Sequence, residues 1–399
     1  MYRVSSYIRR FARALLAGAL LATLWVNLAP ASYYDAMEWR LFPLPLPGWM
    51  IDPNARATAI TLVSDLLMAP FVFLIGKELW EAHMLERGAL RGSRAALPLI
   101  ASLGAMAGGV LVWVLVSALT VTADEAGFGT GWAVPIGCDV VLCYVIGRLV
   151  FGRGHPALHM LLLITIGCDL AGLLALGLFL PAEPLRLGWL ALPLLATVGV
   201  WFACGRHARA GRETLRQRAL HLWPYMLAGA ISWIGVSAAG LPGALGLLPV
   251  IPAIPHSERT FGLFAEAEEL LHDPLNRIAH LLVPPMVLVL FLFGLTRGGV
   301  DPLALAPTTL AALAAFWIGK PLGLLAGATL ARRLPGVALP EGVAPADLLR
   351  IALIAGLGFT VPLIAIDSAL PGGAMAEAAR LGVALSLLIA PAALLLARR

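Results

Sequence analysis

Apolar residues fall along this chain in stretches of roughly 20, the length a helix needs to cross a bilayer core, with short polar joints between them. Hydropathy and length predict spans near 11–30, 57–81, 95–119, 131–150, 156–180, 187–204, 219–236, 239–254, 278–296, 304–330, 346–367 and 378–397. The fold class is therefore an all-α polytopic membrane protein of about twelve transmembrane helices, and an even number returns both ends to one side. The Pro-rich pair between 219 and 254 is the least regular part; one helix fewer would put the C-terminus on the opposite side. The N-terminal run resembles a signal sequence but is long and lacks a clean small-x-small cleavage site, so it reads as a retained first helix.

The polar joints set the orientation. Arg3, Arg9 and Arg10 precede the first span; Arg87, Arg91 and Arg94 follow the second, Arg148 and Arg153 the fourth, and Arg206, Arg209, Arg212, Arg216 and Arg218 the sixth. Arg332 and Arg333 follow the tenth, and Arg398 and Arg399 end the chain. The intervening joints carry Asp35, Glu38, Asp124, Glu125, Glu183 and Asp301 instead. Positive charge gathers on the cytoplasmic face of bacterial inner-membrane proteins, which predicts cytoplasmic termini. A long outer segment at 32–53, rich in Trp, Tyr and Pro, is expected to lie along the interface or to pack on a second protomer.

Composition sharpens this picture. In 399 residues, 60% are hydrophobic and 13% charged, with a mean hydropathy of +0.88, far from a soluble domain. The 28 Lys and Arg against 23 Asp and Glu are dispersed over alternate joints rather than one aromatic-interleaved surface, so no nucleic-acid partner is expected. Cys138, Cys143, Cys168 and Cys204 lie in or beside apolar stretches without CxxC spacing, which indicates neither a disulfide framework nor a zinc finger. No HExxH or GxSxG is present, and the histidines are scattered mostly at span ends, so the chain is not read as an enzyme.

Two spans carry interruptions: GWAVPIGCDVV at 131–141 and GLGFTVP at 356–362. Pro135 and Pro362 remove backbone donors, and Gly137, Gly356 and Gly358 weaken helix propagation, so both helices are expected to break at mid-depth. Freed backbone groups are tolerated in a membrane only where they line a cavity or meet protein. Charges stand beside these breaks: Asp139 just after the first, Asp169 in LLLITIGCDLAGLLALG and Lys320 in AAFWIGKPLGLLAG. An ionised side chain at mid-membrane costs at least ~2.5 kcal/mol on an insertion scale. Buried carboxylates can hold a dehydrated cation or a proton, and each occupant excludes the other by charge. That competition is the chemistry of ion-coupled transport, with Asp139, Asp169 and Lys320 as its candidates; a neutralised Asp–Lys pair that only packs is the alternative. Asp65, Lys77 and Glu78 lie on the second span, and Glu78, Glu81 and Glu86 read either as a cation-gathering, pH-sensing mouth or as a solvated face.

The segments VSDLLMAPFVFLIGKEL, GWAVPIGCDVVLCYVIGRLVFGRGHPA, TIGCDLAGL, FWIGKPLGL and LIAGLGFTVPLIA together resemble the NhaA-type sodium/proton antiporters, in the same order and over most of the chain. That family exemplifies inverted repeats with broken helices. The resemblance implies two broken, crossing helices, core helices at about 95–180 and 304–397, dimer-type helices at about 11–81 and 187–296, and a homodimer in the inner membrane. It implies exchange of Na+ or Li+ against H+, without a cofactor, as one half rocks against the other. Asp139, Asp169 and Lys320 would be the ion and proton residues. Cys138, Cys168, Thr360, Pro135 and Gly358 would line the site, and Glu78 and Asp65 would belong to a mouth. Cys138 stands where the family has threonine, and Arg297 where asparagine is common. The loop FGRGHPA aligns Asp169 with the second of two family aspartates and Cys168 with the first; a one-residue shift reverses this. Without that first aspartate, Lys320 is expected to lose its proton or to re-pair with Asp169 or Asp139. Two sulfurs in the site leave open transport of a soft metal or another solute, and the lost oxygen ligands leave open a transport-inactive membrane partner.

Overall fold

The computed structural model describes residues 6–42, 57–84, 96–120, 128–181, 184–209, 213–256 and 273–397. Among these, helix dominates, and the strands Arg40–Phe42 and Ala57–Thr58 form one short antiparallel ladder. The membrane helices are α1 (Tyr7–Leu28), α2 (Ala59–Met84), α3 (Ala96–Thr120), α4 (Val140–Phe151), α5 (Pro156–Phe179), α6 (Leu187–His207) and α7 (Trp223–Ala238). They continue with α8 (Pro274–Leu282), α9 (Met286–Arg297), α10 (Pro307–Ala331), α11 (Pro345–Ala355), α12 (Thr360–Ala369) and α13 (Gly373–Leu395). Seven of these are single helices long and apolar enough to cross a membrane, and α8–α9 and α11–α12 are bent pairs that each make one span. The other three expected spans are shorter: α4 with the irregular segment before it, α7, and the turns between Gly243 and Ala253. Glu86, Arg3, Arg87, Arg91, Arg94, Asp124, Glu125, Glu183, Arg212, Arg398, Arg399 and the end of the 32–53 segment lie outside the described residues.

The α8–α9 pair bends by 52°, a third break beyond the two expected. Its cause was in view, because Pro284 and Pro285 both lack the N–H that would carry the ladder through. Two π-helical turns, Leu62–Leu67 in α2 and Ala315–Gly319 in α10, interrupt otherwise straight helices. Such turns concentrate at functional sites, and the second stands directly before Lys320.

The chain forms two compact units. One comprises Met1–Gly18, Ala31–Glu86 and Gly177–Thr296; the other Ala19–Pro30, Arg87–Leu176 and Arg297–Arg399. In the first, Lys77 and Glu81 form an ion pair at 2.7 Å with side chains only 1% and 4% exposed. Glu81 is thus a member of a buried ion pair rather than of a solvated face, and the i,i+4 spacing on α2 brings the two together. Breaking such a pair on one side costs about 3–5 kcal/mol, whereas replacing both partners by apolar groups is often neutral. Glu81→Gln is therefore expected to lower thermal stability in detergent strongly, and the double variant Lys77→Met, Glu81→Leu to recover most of it. Equal melting of the single variant and the parent would refute the assignment.

In the second unit α3 and α10 pack backbone to backbone. A Cβ on Gly108 would lie 2.2 Å from the Gly319 carbonyl oxygen, one on Gly323 2.1 Å from that of Gly104, and one on Gly327 2.5 Å from that of Ile100. Lipid supplies no hydrophobic drive between helices, so membrane helices associate through small residues spaced four apart. This seam presses α10, and Lys320 with it, against α3.

Candidate ion and proton site

Both expected breaks are present and they cross. The first runs from a tight turn at Gly129–Ala133 into extended backbone ending at Asp139, where α4 starts. The second is the gap between α11 and α12, bent by 48°. The Phe359 N–H points at the Cys138 carbonyl at 3.5 Å. Close approach explains the glycines: a Cβ on Gly137 would lie 2.4 Å from Val361 Cβ, and one on Gly358 2.3 Å from the Phe316 ring. Pro135, Cys138, Asp139, Cys168, Asp169, Lys320, Gly358 and Thr360 are all buried in this one unit.

The two aspartates are held differently. Asp139 is the N-cap of α4: its Oδ1 accepts the Leu142 N–H at 2.7 Å, and its Oδ2 accepts the Thr360 N–H at 3.3 Å at the start of α12. It therefore compensates the positive ends of two half-helices. Asp169 Oδ1 accepts the Cys138 N–H at 2.6 Å. This is the one hydrogen bond the Asp169 carboxylate makes among the described residues, and its second oxygen has no donor among them. Asp169 is thus the carboxylate with coordination to spare.

Lys320 is fully buried and makes no ion pair with either aspartate. The expectation that it would re-pair with Asp169 or Asp139 fails, as does the Asp–Lys packing pair. Its Nζ donates instead to the Gly137 carbonyl at 2.5 Å and to Cys138 Sγ at 3.1 Å, and lies 5.2 Å above the Phe316 ring. The reason is positional: the break frees the Gly137 carbonyl, and the π turn rolls the start of the next helical stretch toward it.

The thiols are engaged as donors. Cys138 Sγ donates to the Ala355 carbonyl and Cys143 Sγ to that of Ile354, both at 3.2 Å, which satisfies carbonyls freed at the end of α11. Cys168 Sγ reaches the Ser102 carbonyl at 3.8 Å. No three His, Cys, Asp or Glu side chains among the described residues converge as a metal-holding group. Sequence reasoning missed Cys143, Phe316 and Ser386. The Ser386 hydroxyl accepts the Gly358 N–H at 3.1 Å, tying down the second break, and its single proton faces the Val383 carbonyl at 2.6 Å and the Gly358 carbonyl at 3.2 Å.

Asp65 and Glu78 belong to the other unit. Asp65 sits in the π turn of α2, its carboxylate accepting the Gly243 N–H at 3.1 Å and its carbonyl the Trp233 Nε1–H at 2.8 Å. Those bonds give it a role in packing that unit. Glu78 is half-buried.

A family model described as Na+/H+ antiporter 1 matches residues 9–396. The chain belongs to this family. Among curated members of the Na+/H+ antiporter 1 kind, a Na(+)/H(+) antiporter NhaA of Jannaschia sp. is 39% identical, over 97% of this chain and 95% of that one. One from Geobacter metallireducens is 32% identical, over 100% of this chain and 98% of that one. A solved sodium proton antiporter of Methanocaldococcus jannaschii, 16% identical, superposes with a TM-score of 0.50 over 98% of both chains. That likeness extends the fold beyond the reach of sequence. Within the Na+/H+ antiporter 1 fold, then, this chain puts two carboxylates, an ammonium and two thiols at a crossing of unwound backbone.

Proposed function

We propose that this protein exchanges protons for sodium or lithium across the bacterial inner membrane, with Asp169 as the carboxylate that a cation and a proton occupy in turn. The observation that carries this reading is charge at a buried site. Written ionised, Asp139, Asp169 and Lys320 leave one net negative charge, which one alkali cation or one proton neutralises but both together overshoot. Asp169 has a free oxygen for either occupant, and Asp139 supplies a fixed charge held by two helix N-termini. Partly unwound backbone at the crossing offers carbonyls as further hard ligands. The distribution of arginines supports cytoplasmic termini, and the family resemblance supports a homodimer. Bound Na+ or Li+ and H+ are the transported species, without a cofactor, and the physiological output is sodium and pH homeostasis. The soft-metal reading loses ground because both of its thiols are directed at backbone carbonyls, Cys138 at Ala355 and Cys168 at Ser102.

The test uses everted vesicles carrying an imposed proton gradient, challenged in turn with sodium, lithium, potassium and zinc while a pH dye is followed. Dequenching with sodium or lithium is the expected result. A response to zinc alone would install the soft-metal reading, and silence with all four the reading of a transport-inactive partner.

A further inference from the structure

The half-helix α12 is a stub of ten residues, about 15 Å long. It lies between the unwound gap before Thr360 and a turn in which Gly372 and Gly373 take φ values of 21° and 66°. Neither end runs on as regular helix, so side chains must fix where α12 stands along its own axis. At the site end its Thr360 N–H reaches Asp139 at 3.3 Å, close to the length beyond which a hydrogen bond is lost. A slide of well under an ångström away from Asp139 would break that bond and carry the backbone of the break with it.

The remote end of α12 is held by charge. Asp367, three residues before the C-cap, accepts Arg297 Nη1 on one carboxylate oxygen and Arg380 Nη2 at 2.7 Å on the other. Arg380 also donates to Glu377 at 3.1 Å, and Thr130 Oγ1 donates to the Ala369 carbonyl at 2.5 Å. An aspartate in a last helical turn stands against the negative end of the helix dipole, and the two guanidinium groups offset that cost. Their side chains are only 9% and 13% exposed against 30% for Asp367, so this network is less screened than an ordinary surface ion pair. Arg297 is itself followed by anchored backbone: the Gly298 and Val300 carbonyls accept from Thr23 at 3.4 Å and from Asn27 at 2.9 Å. All these residues belong to the second unit.

We propose that Asp367, clamped between Arg297 and Arg380, is a positioning residue of the exchange site, which sets the axial placement of α12 and so the geometry that a bound cation meets. This inference rests on the exchange reading above. The clamp acts at one end of a short rigid rod and the site lies at the other. With the clamp closed, the Thr360 N–H stays on Asp139, and the backbone carbonyls of the break keep the spacing that suits a small alkali cation. With it open, the rod is free to slide, the carbonyls move with it, and the cation loses ligands while Asp139 and Asp169 remain in place.

The experiment measures exchange by the full chain in everted vesicles over a range of sodium and of lithium concentrations, for the wild type, Asp367→Asn, Asp367→Glu and Arg297→Gln/Arg380→Gln, and for the triple variant that adds Asp367→Asn to the last. Asparagine keeps the shape of aspartate and removes the charge. Asp367→Asn is expected to raise KM for sodium about fivefold, the scale on which a helix terminus acts on a neighbouring charge, and to alter the ratio of the sodium and lithium KM values. Vmax per folded protein should be kept. Asp367→Glu, which restores the charge, should bring KM back toward that of the wild type, and the triple variant should match Arg297→Gln/Arg380→Gln, because Asp367 has nothing left to hold. A merely structural aspartate predicts a smaller amount of folded protein, hence a lower Vmax at unchanged KM, and that result would overturn the inference alone. So would an Asp367→Asn effect undiminished in the arginine-free background. A wild type that exchanges neither sodium nor lithium for protons would overturn the exchange reading and this inference with it.

Discussion

Asp169→Asn yields a folded protein that moves no protons in response to sodium or lithium above the rate of empty vesicles. The amide oxygen still accepts the Cys138 N–H that Asp169 Oδ1 accepts now at 2.6 Å, so the crossing of the two breaks is preserved. The site then contains one carboxylate and one ammonium and has no net charge for a cation to neutralise. A buried cation without compensating charge is heavily penalised, and an amide NH2 would occupy the position a metal ion needs. Melting in detergent should stay close to wild type, which separates loss of function from loss of fold. Asp139→Asn is the informative companion, because asparagine caps a helix as well as aspartate does. Sodium-dependent exchange persisting in Asp169→Asn would move the carrier role to Asp139 and sink the assignment.

Gly323→Leu is expected to be the most damaging single change to the fold among the described glycines of α10. The first atom added would sit 2.1 Å from the Gly104 carbonyl oxygen and 2.8 Å from the Gly108 Cα, both backbone. A flexible side chain could swing aside, but two helix backbones must separate. Overpacking costs about 1–3 kcal/mol where side chains can adjust, so the expected loss lies at or above the upper end. Because α10 carries Lys320, separation would also pull the ammonium from Cys138 and Gly137. The control is Gly199→Leu on α6, where an added Cβ meets nothing within 4 Å. Thermal unfolding of purified protein should show a large drop for the first and little change for the second; equal behaviour would mean the α3–α10 seam does not bear the load assigned to it.

Much of the candidate site was legible because charge stands out in oil. Asp139, Asp169 and Lys320 are conspicuous in apolar runs, and proline with glycine announced both crossing breaks. Some signals were present but unused. The four-residue spacing of Gly104 and Gly108, and of Gly319, Gly323 and Gly327, marks the helix seam, and Pro284-Pro285 marks the third break. Lys77 and Glu81 stand at pairing distance on a helix, yet periodicity alone did not tell a buried pair from a solvated face.

Other features had no sequence signal. Nothing in the order of residues says that Lys320 turns to a thiol and a freed carbonyl, that Cys138 and Cys143 close the end of α11, or that Ser386 ties down Gly358 from a helix further on. What the sequence determined by itself is the solvent and the inventory: the insertion cost of polar groups in hydrocarbon forces apolar helices and leaves the few retained charges in plain view. Only the tertiary structure decided who meets whom, because partners far apart in the chain are brought together by the helix crossings. There a shift of one residue exchanges an oxygen for a sulfur against the same ammonium.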